Sequence, residues 1–182
     1  MKNINFLKKN LEIYKSLLDK IDLGLIRIFS NELKKIKKDK KKVLVFGNGA
    51  GAAISSHFCS DLAKTLNIKA LSFDNSAQIT CFSNDYKFEN WILETIKVYF
   101  NTGDLILLLS ASGKSMNMIN AAKYCKKNSI KFYSLTGFNV KNPLNKLSKK
   151  KFHIQSNNYN QVEVIQNLIL LLTIDFLNKK IK

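Results

Sequence analysis

Val43-Leu44-Val45-Phe46-Gly47-Asn48-Gly49-Ala50-Gly51-Ala52 is the stretch from which the rest of the chain can be read. Its first four residues are wholly apolar, without the alternation of a half-buried strand. They are also too few for a helix, which leaves a strand covered on both faces, as in a parallel sheet. The glycine-rich turn then opens a helix over 52–66. The same grammar recurs downstream. Ala70-Leu71-Ser72-Phe73 is a second strand and 88–100 a helix; Leu105-Ile106-Leu107-Leu108-Leu109 is the clearest strand, with a helix over 115–125. Residues 130–135 form the next strand, Phe152-His153-Ile154 a short last one, and 161–177 a strongly apolar closing helix. Strands alternating with helices of this length predict an α/β fold, a doubly wound and mostly parallel five-stranded sheet.

Upstream of the first strand the period changes. Phe6, Leu7, Leu11, Tyr14, Leu17, Leu18, Ile21, Leu25, Ile26, Phe29 and Leu33 recur at threes and fours, so 3–37 reads as helix, with Gly24 the expected dent or division. The chain is therefore expected to be one domain over 1–182, with a helical arm (1–42) ahead of an α/β sandwich (43–182). An amphipathic arm of this length needs a surface to cover its apolar stripe, which points to packing between copies.

Composition narrows the function classes. With 46% apolar and 24% charged residues, the chain has ordinary globular usage. Its longest apolar runs, such as Leu168 to Ile174, fall short of a membrane span. Three cysteines, Cys59, Cys81 and Cys125, form no CxxC pair and leave an odd count, as expected of a cytoplasmic protein without a disulfide framework. The net charge of +17 invites a nucleic-acid reading, yet Arg27 is the only arginine among 30 basic residues. Readers of bases and phosphates lean on arginine forks. The lysine surplus, densest over Lys34 to Lys42, reads instead as a solvated basic surface.

In an open parallel sheet, ligands bind beyond the carboxyl ends of the strands. After the first strand stands Gly47-Asn48-Gly49-Ala50-Gly51; after the third, Ser110-Ala111-Ser112-Gly113-Lys114-Ser115; after the fourth, Thr136-Gly137. Small and hydroxyl residues there let backbone amides and serine hydroxyls converge on an anion, helped by the helix N-termini that follow. The serine-rich turn suits a phosphate monoester. Gly47-x-Gly49-x-x-Ala52 with Asp74 satisfies a loose dinucleotide fingerprint, but that reading leaves the serine cluster without a role. No GxxxxGK[ST] loop occurs. Taken alone, the serine cluster would also fit a capped turn; two such loops in one sheet favour a site.

The order of Gly47-Asn48-Gly49, His57 with Asp61, Asn84-Asp85, Ser110 to Ser115 and Leu135-Thr136-Gly137 resembles the sugar isomerase (SIS) domain family. Within it, the pattern is similar to the sedoheptulose 7-phosphate (phosphoheptose) isomerases, from about residue 10 to the end. The resemblance implies a flavodoxin-like sheet and an aldose–ketose isomerisation of a small phosphorylated sugar through an enediol. By it, Ser110, Ser112 and Ser115 hold the phosphate, and Asn48, Gly49, Ala50 and Gly51 line the sugar. Asn84 and Asp85 enter across a subunit boundary, and the chain assembles as a homotetramer. His57 and Asp61 are the catalytic pair, four apart on one helix face, with Asp61 as base where the family has Glu. That substitution shortens the reach by about one C–C bond, about 1.5 Å.

Other departures follow. The family's last helix brings a Gln and a His, which in some members help bind zinc; here Gln161 is the nearest Gln, Leu170 falls where the His is expected, and Gln161 or Glu163 is the residue that could compensate. Ala50 and Gly51 stand for Gly-Ser, and Ala111 for Thr. His153, the only other imidazole, reads as a partly exposed strand residue. A catalytic zinc needs three protein ligands, and His57 and Asp61 supply two, so no cofactor or tightly bound metal is expected. The alternative to an isomerase is a catalytically silent SIS protein that binds a sugar phosphate or a protein partner in a regulatory role.

Overall fold

The structure is a computed structural model and describes residues 2–178. Two helices, α1 (Lys2–Leu18) and α2 (Leu23–Lys38), precede β1 (Lys42–Gly47), α3 (Ala50–Leu66), β2 (Lys69–Ser72), α4 (Ser76–Tyr86) and α5 (Trp91–Tyr99). There follow β3 (Leu105–Ser110), α6 (Met116–Lys127), β4 (Phe132–Thr136), α7 (Pro143–Leu147), β5 (Lys150–His153) and α8 (Tyr159–Asn178). All five strands run parallel in the order β2-β1-β3-β4-β5. The chain runs outward from β1 in one direction, returns, and continues from β3 in the other. The switch point between β1 and β3 therefore opens a crevice at their carboxyl ends.

Burial follows from that order. All six residues of β3 and all five of β4 are buried, whereas the edge strands β2 and β5 alternate. Side chains of successive strand residues feed opposite faces. Val43, Val45, Leu105, Leu107 and Leu109 join a core with Phe29 and Leu33 of α2, Phe58 and Leu62 of α3, and Ile165 and Ile169 of α8. Leu44, Phe46, Ile106 and Leu108 join Trp91, Ile92 and Ile96 of α5 and Met118, Ala121 and Ala122 of α6 on the other face. Helix α8 is long and apolar enough, by composition, to cross a membrane, but its buried face packs on α3 and α2, as in a core helix.

The arm divides at 19–22, not at Gly24. Asp22 caps α2, its carboxylate accepting from the Leu25 amide at 2.8 Å, and Gly24 lies within the first turn. Among the described residues of α1 only Leu17 is buried, while Ile4, Phe6, Leu7 and Leu11 stand exposed. Two helices come in addition to those read from the pattern. Helix α4 has no buried residue, and α7 is five residues long, with Asn142 as cap and Pro143 at its first position.

Candidate active site

Gly47 ends β1 under the first turn of α3, so close that a Cβ on it would lie 2.1 Å from the backbone carbonyl carbon and oxygen of Gly51. Gly51 in turn packs on Leu109 of β3. These glycines bring the start of α3 down onto the sheet at the switch point. A cavity of about 110 Å³ opens there, lined by Asn48, Gly51, Ser110, Ser112 and Ser115 together with Tyr159, Glu163 and Gln166 of α8.

The wall is built for an anion. Helices α2, α4 and α7 are capped by Asp22, Asn75 and Asn142 side chains. Helices α3 and α6, which begin at the cavity, have no side-chain cap; α5 shares that lack, but its start does not line the cavity. In α3 the Gly51 and Ala52 amides donate to the Asn48 and Gly49 carbonyls, and in α6 the Met118 amide donates to Asn117 Oδ1. The amides of Ala50, Met116 and Asn117 keep their donors among the described residues, and the positive end of each helix faces the same space. The hydroxyls of Ser110 and Ser115 lie 3.4 Å apart, and that of Ser112 accepts from the Lys114 amide at 3.3 Å. Gly113, at φ +65°, turns the serine loop; a Cβ there would meet the Asn142 carboxamide oxygen at 2.1 Å. Asn142 is buried and donates to Thr136 Oγ1, the Gly137 carbonyl and the Asn139 carbonyl. The Leu144 amide donates to the Gly113 carbonyl at 3.1 Å. Helix α7 thus braces the serine loop from behind.

Across the crevice, Asn48 and Asn117 exchange two amide hydrogen bonds, of 3.1 and 2.9 Å. That pair joins the β1–α3 turn to the first turn of α6.

The structure brings together four of the expected ligand contacts with Asn48: Gly51, Ser110, Ser112 and Ser115 all border the cavity. Gly49 and Ala50 are exposed beside it and do not form its wall. His57 and Asp61 form a pair, Nε2 to Oδ2 at 3.3 Å, on the outer side of α3, with side chains 52% and 27% exposed. Asp61 lies ten positions after Gly51, roughly 15 Å along a helix axis. Asn84 and Asp85 are exposed on α4, the carboxamide of one donating to the carboxylate of the other at 3.0 Å. Gln161 lies outside the wall. Its oxygen accepts from Ser156 Oγ at 2.6 Å and its nitrogen donates to Asn10 at 3.2 Å, tying α8 to α1.

Besides Leu109 and Ala111, three α8 residues outside the expected contacts line the cavity: Tyr159, Gln166 and Glu163, the last offered by the sequence only as a stand-in for the missing histidine. Their spacing of four and three, one stripe of a helix, is the signal in the sequence that marks them. Gln166 is buried, and its nitrogen donates to the Leu135 carbonyl at 2.8 Å.

His153 sits at the end of β5, its Nδ1 3.2 Å from the Asn145 side-chain nitrogen, which therefore donates to it. Burial, then the neighbouring Lys151, holds its pKa below the ordinary imidazole value. Burial likewise pushes the Cys59 and Cys125 thiols up to about 12, so neither is a nucleophile at neutral pH. Among the described residues no three His, Cys, Asp or Glu side chains cluster closely enough to hold a metal ion.

Comparisons with known proteins agree on one family. Residues 6–137 match the SIS domain model. A probable phosphoheptose isomerase of Thermoplasma volcanium is 31% identical over 124 residues, 64% of this chain and 63% of that protein. A phosphoheptose isomerase of Campylobacter concisus is 32% identical over 122 residues, 63% of this chain and 64% of that one. The matched region thus spans a little under two thirds of these relatives. The solved phosphoheptose isomerase from Neisseria gonorrhoeae superposes with a TM-score of 0.87 at 19% identity, covering 97% of this chain and 98% of its own. That likeness extends the shared fold beyond the matched sequence, through β5 and α8. The switch-point crevice, the serine turn and the match from the arm to the fourth strand carry the same conclusion: the chain belongs to the SIS domain family.

Proposed function

We propose that this chain is an aldose–ketose isomerase of the phosphoheptose isomerase type, a cytoplasmic enzyme acting on sedoheptulose 7-phosphate or a closely related sugar phosphate. The observation that carries the reading is the serine turn facing two uncapped helix starts in one cavity. Ser110, Ser112 and Ser115 hold the phosphate, with backbone from Asn48 to Gly51 beside the sugar. Asp61 moves a proton between C1 and C2, and His57 orients it through their 3.3 Å contact.

At roughly 15 Å along α3 from the cavity, Asp61 lies beyond the reach of a ligand held within the same chain. The reading therefore has copies of the chain meeting at the site, with the His57–Asp61 pair and Asn84–Asp85 facing a neighbour's cavity in a homotetramer. The bare apolar stripe of α1 and the unburied helix α4 support such packing. A sizing measurement that returned a monomer would overturn it.

The test supplies sedoheptulose 7-phosphate and follows the aldose by NMR, wild type against Asp61→Asn. Conversion lost in the variant is the expected result. Saturable binding without conversion at high protein concentration would overturn the enzyme and support the second reading, a silent sugar-phosphate-binding protein. One observation favours that second reading: α8 has no histidine anywhere between Tyr159 and Asn178.

A further inference from the structure

An aldose–ketose interconversion moves two protons, one between carbons and one between oxygens. In the reading above Asp61 serves the carbons. Nothing yet serves the oxygens, because α8 carries no imidazole.

Helix α8 nevertheless sets a titratable side chain in the cavity wall. Glu163 is the one carboxylate among the described residues that line it, one helical turn from Tyr159 and three residues before Gln166. Gln166 is fixed by its bond to the Leu135 carbonyl, which steadies this part of α8 against β4. Glu163 is half-buried and makes no hydrogen bond or ion pair with any described side chain. A carboxylate in this position is repelled by the phosphate dianion itself. It suits the hydroxyl groups of the carbon chain, for which a carboxylate is a strong acceptor.

Resting on the isomerase reading, we propose that Glu163 is a catalytic residue that carries the hydroxyl proton between O1 and O2 of the bound sugar. In the ketose-to-aldose direction, Asp61 takes a proton from C1. The C–H electrons form the C1–C2 double bond and the carbonyl pair moves onto O2, giving the enediolate. Glu163 accepts the proton of the O1 hydroxyl and delivers it to O2. The O1 pair then forms the C1 carbonyl, and C2 takes back the proton held by Asp61. Both carboxylates end as they began, and no external oxidant or reductant is needed.

The two roles separate in deuterium oxide. Sedoheptulose 7-phosphate is incubated with wild type, Glu163→Gln, Glu163→Asp and Asp61→Asn, and NMR follows both aldose formation and deuterium entry at C1. Glu163→Gln is expected to bind the ester within about threefold of wild type and still exchange C1. Its interconversion is expected to fall by about 10²- to 10⁴-fold, the usual worth of one proton carrier. Glu163→Asp, which keeps the carboxylate, should recover part of that loss, and Asp61→Asn should lose exchange and interconversion together. Interconversion by Glu163→Gln at the wild-type rate would overturn the proposal and leave the isomerase reading standing. So would loss of exchange in that variant, or loss of binding alone. A wild-type protein that neither exchanges nor interconverts would remove the isomerase reading, and this inference with it.

Discussion

Replacing Gly47 with alanine is the sharpest test of how the site is built. The added Cβ would lie 2.1 Å from the Gly51 carbonyl carbon and oxygen, and 2.7 Å from the Ala52 amide nitrogen. All three are backbone atoms, so no side-chain rotation relieves the overlap. Restoring ordinary contact at 3.4 Å from 2.1 Å requires the first turn of α3 to rise by about 1.3 Å. Overpacking of this kind costs about 1–3 kcal/mol or more, and in a chain of this size about 2–4 °C of Tm is lost per kcal/mol. The functional loss should be greater. A displacement near 1 Å at a reacting group is worth about 10²-fold in rate, and here it lifts the amides that face the cavity. Thermal unfolding and titration with a sugar phosphate measure the two effects. Gly49→Ala is the comparison: at φ +55° it is strained, but no heavy atom lies within 4 Å of the new Cβ. With ψ −123° beside that φ, the backbone there suits glycine almost alone, so the variant should lose about 1–3 kcal/mol without shifting α3. A Gly47→Ala protein with wild-type stability and unchanged ligand binding would refute the packing argument.

Ser112→Ala should weaken binding of a phosphate ester by about tenfold or somewhat more, the worth of one hydrogen bond to a charged group; unchanged affinity by calorimetry would remove Ser112 from the cradle. His153 is harder to protonate folded than unfolded, starting from the ordinary value of 6.5. Below that pH the unfolded chain binds the extra proton first, so stability falls as pH drops through 6.5. His153→Gln should lessen the difference in Tm between neutral and mildly acidic buffer, and an undiminished difference would assign the pH effect to other groups. Cys59 and Cys125 should resist thiol reagents in the native protein while exposed Cys81 reacts, as peptide mass mapping would report. Modification of either buried thiol before Cys81 would contradict their burial.

The layout of the sheet was largely written in short apolar runs, because a strand buried on both faces needs no alternation and stands out between helical periods. The β3 run Leu105 to Leu109 shows this, matching its strand to within a residue. What the chain does not display locally is strand order, which depends on where each crossover helix packs. The arm illustrates another limit: Gly24 looked like the break, but Asp22 supplies a cap, and a cap fixes a helix start more firmly than a glycine disturbs its interior. Helix α7 went unread because five residues carry too little periodicity, although Asn142-Pro143 is a start signal. At the site, the serines were legible because their chemistry is local. On α8 the sequence left Gln161 and Glu163 as alternatives and passed over Tyr159 and Gln166, since a step of two or five residues turns the side chain to another side of the helix, and only packing fixes that rotation.

The paired amides of Asn48 and Asn117 have a consequence for how a ligand arrives. Within the pair each carboxamide gives one bond and takes one, and the Met118 amide also donates to the Asn117 oxygen, so neither loop can swing without breaking both bonds of the pair. The two turns that bracket the crevice consequently behave as one rigid body. A ligand reaching the cavity meets its donors already in position, and little chain entropy remains to be lost at capture. No lid needs to close over the phosphate end before it is held. Capture there is expected to run as a single-step association, its rate set by encounter and by the salt-sensitive attraction between a basic protein and an anion.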